Sequence, residues 1–263
     1  QDIIEEYGAD ALRFTLADLA TETQDIRLPV KPKKLPDGRT INISEKFEKG
    51  RNFCNKLWQA STGYVMSNLD GYYAKPLAVA DLRLEDRWIL SRMTACLTDL
   101  NDALTRYRFS EAMKVLYRFM WDEYCSAYIE MSKPRLLGDD RASAQQVLVF
   151  VLDQLLRMLH PFIPFVTEAI WQKLNEAAPQ RGLRTITAGE EAITIATWPT
   201  ADISLRNEQV ETEMAALQVV IQAVREIRTE VNDFRSRNKQ PAMRTLPKAI
   251  VRADAATCGS IEA

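Results

Sequence analysis

Apolar residues along this chain recur at intervals of three and four far more often than two, a period that predicts helices almost throughout. In 8–19, Ala11, Leu12, Thr15, Leu16 and Leu19 share one face, while Asp10 and Arg13, three residues apart, are placed to pair on the other. A turn-rich stretch follows, in which Pro36-Asp37-Gly38 reads as a hairpin tip. From Ser44, the expected N-cap, a long helix should run to Leu69 with Phe47, Cys54, Leu57, Trp58, Ser61, Val65 and Leu69 as its buried stripe.

The same spacing predicts helices over 82–107, through Ile89, Met93, Leu97, Leu100, Leu104 and Tyr107, and over 109–131, through Met113, Leu116, Met120, Tyr124 and Tyr128. Residues 147–159 are apolar on nearly every side, as the central helix of a bundle must be. His160-Pro161 ends that helix, because a residue before proline is pushed out of the α region, and Pro164 suits the first turn of the next. Beyond a polar stretch, 193–198 reads as a short strand and 246–251 as the start of another. Between them Val210, Met214, Leu217, Ile221, Val224 and Val231 mark a last long helix with a seam near period 3.5. The expected fold class is all-α: a helix bundle with a short β-containing linker and a small C-terminal helix/strand appendage, divided at 1–43, 44–200 and 201–263.

Composition narrows the function classes. No stretch of the 263 residues reaches the ~18 uninterrupted apolar positions of a membrane span, and the acidic start is unlike a signal peptide. The missing initiator Met suggests an excised piece. Cys54, Cys96, Cys125 and Cys258 are scattered and the chain holds 1 His, so neither a zinc cage nor a disulfide framework is expected. With 34 basic against 36 acidic residues, any hold on a polyanion must come from a local patch. No glycine-rich phosphate cradle or paired nucleophile and base is legible, and His160 is expected to be structural, so no catalytic or metal-binding residue is assigned.

One segment carries binding chemistry. Across 50–58 cations and side-chain amides alternate with aromatics on one helix, whose polar face carries Lys49, Asn52, Asn55, Lys56 and Gln59; Lys49, Arg51, Asn52, Asn55 and Lys56 are the candidate binding residues. Amides read base edges, cations meet phosphates and aromatics stack unpaired bases. The plainer reading has Phe53 and Trp58 in the core and the polar residues simply solvated, and composition alone favours it.

Longer strings carry a resemblance. Tyr7-Gly8-Ala9-Asp10-Ala11-Leu12-Arg13-Phe14, Gln24-Asp25-Ile26, Arg51-Asn52-Phe53-Cys54-Asn55-Lys56-Leu57-Trp58, His160-Pro161-Phe162-Ile163-Pro164-Phe165-Val166-Thr167-Glu168, Trp198-Pro199 and Arg225-Glu226-Ile227-Arg228-Thr229-Glu230, in this order, resemble the valyl-tRNA synthetases, class I aminoacyl-tRNA synthetases. Isoleucyl and leucyl relatives share the first and fourth strings in similar form, whereas the third resembles the valine enzymes. The resemblance implies that 1–43 connects to a catalytic domain, that 44–200 is an anticodon-binding helix bundle, and that the partner is tRNA(Val), chiefly its anticodon stem-loop. It implies a parent ligase that uses ATP and Mg2+ and edits mischarged tRNA. This chain, without the adenylate-forming signatures, is then an inactive tRNA-binding part with no cofactor, cytoplasmic, monomeric and free of membranes. The 31–43 stretch is longer than the resemblance leads one to expect, so no contacts are carried over there. A competing expectation is an interaction scaffold whose helix over 207–234 pairs with another chain.

Overall fold

The computed structural model describes residues 1–21 and 25–243; Gln24 and the expected strand at 246–251 lie outside them. The chain forms two compact units, Gln1–Arg206 and Asn207–Ala263. In the first, α1 (Asp2–Tyr7) and α2 (Ala9–Leu19) precede an antiparallel hairpin of β1 (Lys31–Lys34) and β2 (Thr40–Ile43). Its tip is the predicted Pro36-Asp37-Gly38 turn, where Gly38 takes φ 88°.

The long helix predicted after Ser44 is present, but its winding changes along its length. A 3-10 turn (Glu45–Phe47) leads into α3 (Glu48–Trp58), which passes into a π-wound stretch (Gln59–Val65) and a final 3-10 turn (Met66–Asn68). Ser44 holds the expected N-cap position but gives no side-chain cap: its hydroxyl is buried without a hydrogen-bond partner, and its carbonyl accepts from Phe47 N–H at 3.2 Å. Next come α4 (Leu84–Thr105), α5 (Phe109–Tyr117), a second π-wound stretch (Arg118–Tyr128) and α6 (Ile129–Ser132). In this stretch Ser126 Oγ donates to the carbonyl of Trp121, five residues back, at 2.7 Å. Tyr107 leaves its predicted stripe; it sits in the α4–α5 turn at φ 58° and is 79% exposed.

The central helix is α7 (Arg141–Leu159). Val147, Leu148, Val149, Val151, Leu152, Leu155, Leu156, Met158 and Leu159 are all fully buried, each contributing about 1.5–3 kcal/mol of apolar burial. Its buried polar groups are all partnered. Gln145 Nε2 donates to the carbonyls of Asn68 at 2.7 Å and Asp70 at 3.1 Å, and Gln146 bonds Lys75 and Gly182, so α7 holds the 68–77 connection. Asp153 accepts from Arg181 at 2.7 Å and Arg157 at 2.8 Å, and Arg157 reaches Glu190 at 2.7 Å. Both guanidiniums lie against the ring of buried Trp171, at 4.3 Å (Arg181) and 4.8 Å (Arg157) from its centroid.

Trp171 belongs to α8 (Pro164–Ala177), whose start corrects a local reading of the sequence. Asp10 and Arg13 are not turned to each other. The Asp10 carboxylate accepts from Val166 N–H at 2.6 Å and Phe165 N–H at 3.3 Å, which are among the orphan donors of α8, while Arg13 donates to the carbonyls of Pro161 at 2.9 Å and Phe162 at 3.1 Å. The N-cap position of α8 is Ile163, which has no side-chain acceptor, so the cap is supplied from α2. Burial raises the pKa of Asp10, and the two N–H bonds oppose that shift.

After α8 a small antiparallel pair, β3 (Gln180–Arg181) and β4 (Thr187–Ala188), precedes the segment predicted as a strand. There Ile193–Ile195 is a 3-10 turn, with Ile193 N–H held by Glu168 at 3.1 Å. Among the described residues, the β-branched run Ile193-Thr194-Ile195 pairs with no strand. In the second unit, α9 (Glu208–Arg237) follows the predicted seam and is capped by Asn207, whose side-chain oxygen accepts from Val210 N–H at 3.0 Å. Among the described residues no helix is long and apolar enough to cross a membrane.

Two predictions follow from these contacts. A β-carbon at Gly50 would stand 2.7 Å from the carbonyl oxygen of Ala11 and 3.1 Å from Thr15 Oγ1. Gly50→Ala should therefore destabilise the fold by about 1–3 kcal/mol in chemical denaturation, against the ~1 kcal/mol that alanine normally adds to a helix. An increase in stability would show that α2 and α3 are not in backbone contact.

His160 shares a 2.9 Å hydrogen bond with Thr167 Oγ1, whose own proton goes to Ile163 O, so the ring Nδ1 is the donor. Burial lowers the ring pKa below 6.5, against the raising influence of Glu168 and Asp10. The unfolded chain thus takes up the proton first: this contribution to stability is complete above 6.5 and is lost as pH falls through that value toward the folded pKa. With 1 His in the chain, its imidazole proton resonances report the titration without ambiguity, and a midpoint at or above 6.5 contradicts the buried environment.

Candidate nucleic-acid interface

Helix α3 presents one exposed arc because it buries only the other side. At about 100° per residue, Phe53, Leu57 and Ala60 cluster together on one side, where all three are buried. Glu48, Lys49, Asn52, Asn55 and Gln59 face solvent. Trp58, expected in the stripe, lies on the exposed arc instead, with Lys173 of α8 at 5.9 Å from its ring.

The five predicted residues divide between the two flanks of that arc. On one flank, Lys49 pairs with Asp18 at 2.8 Å and stands 4.9 Å from the Tyr117 ring centroid, Lys56 stands 5.7 Å from that of Trp121, and Asn52 lies between the two lysines on the helix. On the other, Arg51 lies over Tyr7 at 5.2 Å and, with Asn55, Cys54 and Phe165, lines a cleft of about 340 Å³ near the start of α2. The five do not converge on one point; they border one surface from opposite sides.

Aromatics underlie the first flank. Phe14, Phe53, Tyr117 and Trp121 form a ladder with centroid separations of 4.7, 5.6 and 5.4 Å, running from the core to the half-buried Trp121. Tyr117 and Trp121 are nearly parallel, at 7°, where α5 passes into the π-wound stretch. Lys114 and Arg27, with Lys49, Asp18, Asp25 and Ser110, continue this flank as a groove of about 850 Å³. Tyr117, Trp121 and Lys114 were missed by reading buried stripes alone. The available signal was two aromatics at i and i+4 lying off the apolar stripe of Met113, Leu116 and Met120.

Together these groups offer cations for phosphate, amides for base edges and a rigid aromatic support. Among the described residues, no group of three or more His, Cys, Asp or Glu is placed to hold a metal ion.

The sequence matches a family of this chemistry. A family model described as the anticodon-binding domain of tRNA ligase matches residues 86–241, and the chain belongs to that family. Its sequence is similar to valine–tRNA ligases: 42% identical to that of Rhodopirellula baltica over 88% of this chain and 26% of the relative, 41% to that of Thermotoga maritima over 88% and 23%, and 37% to that of Bacillus cereus over 95% and 26%. The chain thus spans about a quarter of the length of the curated relatives it matches. The fold is similar to a LeuRS of Agrobacterium radiobacter K84 solved as a LeuRS-tRNA-LeuAMS ternary complex, with TM-score 0.53 and 18% identity over 78% of this chain and 21% of that one. Helix α3 precedes the matched residues 86–241, whereas Lys114, Tyr117 and Trp121 fall within them.

Cys54 lines the cleft but is chemically quiet. Burial pushes its thiol up to about 12. Because only the thiolate reacts, alkylation by iodoacetamide at about pH 8 should be on the order of 10²–10³ slower in the folded chain than in denaturant. Peptide mapping checks this, and equal rates would contradict a buried thiol.

Proposed function

We infer that this chain binds tRNA(Val) without catalysis, gripping chiefly the anticodon stem-loop. Membership in the anticodon-binding family carries the reading, and the cation-flanked aromatic ladder at α3 and α5 supports it. Lys49, Lys56 and Lys114 meet backbone phosphates, Asn52 reaches an exposed base, and Arg51 and Asn55 extend the contact to the other flank. In this reading 1–43 connects to the catalytic part of a longer valine–tRNA ligase, 44–200 is the anticodon-binding bundle and 201–263 its appendage. ATP and Mg2+ serve that catalytic part, and this chain takes no cofactor. It works as a monomer in the cytoplasm.

The near-zero net charge makes the interaction local, so it rests on few ionic contacts. Lys49→Ala with Lys56→Ala should weaken binding of a fluorescent valine anticodon stem-loop about tenfold and reduce the slope of log K against log salt by about 1–2. Anisotropy titration at two salt concentrations measures both. Equal affinity for an unrelated stem-loop at physiological salt would remove the recognition, leaving only nonspecific phosphate binding.

A further inference from the structure

The turn between α4 and α5 contains a residue that the fold does not explain. Helix α4 ends with the N–H of Tyr107 bonded to the carbonyl of Leu104 at 3.0 Å and that of Arg108 to Ala103 at 2.8 Å, the paired closure that needs a left-handed residue just past the helix. Glycine, and less often asparagine, usually fills that position, because a β-carbon there crowds the following carbonyl. Here it is Tyr107, at φ 58°. Packing does not account for the choice: the side chain is 79% exposed and, among the described residues, makes no hydrogen bond or ring contact.

The surroundings are cationic and aromatic. Arg106 and Arg108 flank Tyr107, and Phe109, the first residue of α5, is 40% exposed. Arg106 pairs with Asp102 at 2.9 Å, a surface pair within one helical turn of the kind that a phosphate readily replaces, and Arg108 reaches Glu111 at 3.5 Å. Ser110 opens onto the groove shared by Lys49, Lys114 and Arg27, so the turn borders the cationic flank of α3. The turn also lies inside the residues matched by the family model.

We propose that Tyr107 is a stacking platform for one unpaired base of the bound RNA, with Arg106 and Arg108 meeting the phosphates on either side. The proposal rests on the tRNA-binding reading above and adds a contact remote in sequence from α3. A strained, exposed aromatic between two arginines is costly for the fold and useful only to a partner with flat, uncharged faces and an anionic backbone, as single-stranded RNA has. The left-handed backbone places the Cα–Cβ bond at the apex of the turn, and a tyrosine has only two side-chain torsions to order on stacking.

The proposal predicts opposite changes in stability and binding. Tyr107→Gly in the full chain relieves the backbone and should raise the melting temperature by about 2–4 °C. It should also weaken binding of a valine tRNA transcript about five- to a hundredfold, with little change in salt slope, because stacking is not ionic. Tyr107→Phe should bind as the parent does. Arg106→Ala with Arg108→Ala should instead lower the salt slope by about 1–2. A glycine variant that is more stable yet binds the transcript undiminished overturns the platform, while the Lys49 and Lys56 variant still tests the wider reading. No binding by the unaltered chain overturns both.

Discussion

The Asp10 carboxylate on the first free N–H groups of α8 is the contact from which the rest of the first unit is laid out. Hydrogen bonds to a charged group contribute about 1.5–3 kcal/mol each, and losing this one would orphan two donors at a helix start that has no cap of its own. Arg13, one turn on, holds the carbonyls of Pro161 and Phe162 in the break between α7 and α8, so α2 is tied to that break. With α2 fixed, Gly50 lets α3 approach the Ala11 backbone, and α3 in turn carries the polar arc over Tyr117 and Trp121. The candidate surface is therefore positioned by one acid, which also lines its cleft, and one glycine.

This arrangement explains why two sequence strings 150 residues apart occur together. Asp10 and Arg13 stand in the first, and their partners Pro161, Phe162, Phe165 and Val166 in the second. They are two halves of one joint. The second half also holds His160, whose ring bonds Thr167 across the same break, consistent with the structural role expected of a histidine before a proline.

Most helices were legible because burial imposes a period, and the period survives without knowledge of neighbours: the α7 stripe and the α9 seam are examples. What failed depended on distant groups. Ser44 has a capping side chain, but β2 delivers it with the hydroxyl buried. Asp10 and Arg13 have the spacing of a local pair, yet better partners lie in α8 and before it. Ile193 and its neighbours are β-branched like a strand, but among the described residues no strand pairs with them. Within the candidate interface, the polar side of α3 was readable from its amphipathic pattern. Tyr117 and Trp121 were not, because a buried-stripe reading discards aromatics that stand off the stripe, and their support for Lys49 and Lys56 arises only when the end of α5 and the π-wound stretch after it meet α3.

The two guanidiniums against Trp171 bear on how the molecule meets its ionic surroundings. Arg135, Arg157 and Arg181 are enclosed with their acids, so these three charges are kept largely from solvent. Buried pairs are screened little by salt, whereas the partly exposed lysines on the α3 flank are reached by solvent with a Debye length of about 8 Å at physiological ionic strength. The protein thus separates two kinds of electrostatics by depth. Salt that loosens its hold on a polyanion leaves the bundle itself almost untouched, and a nucleic acid can be shed and rebound without any part of the fold being remade.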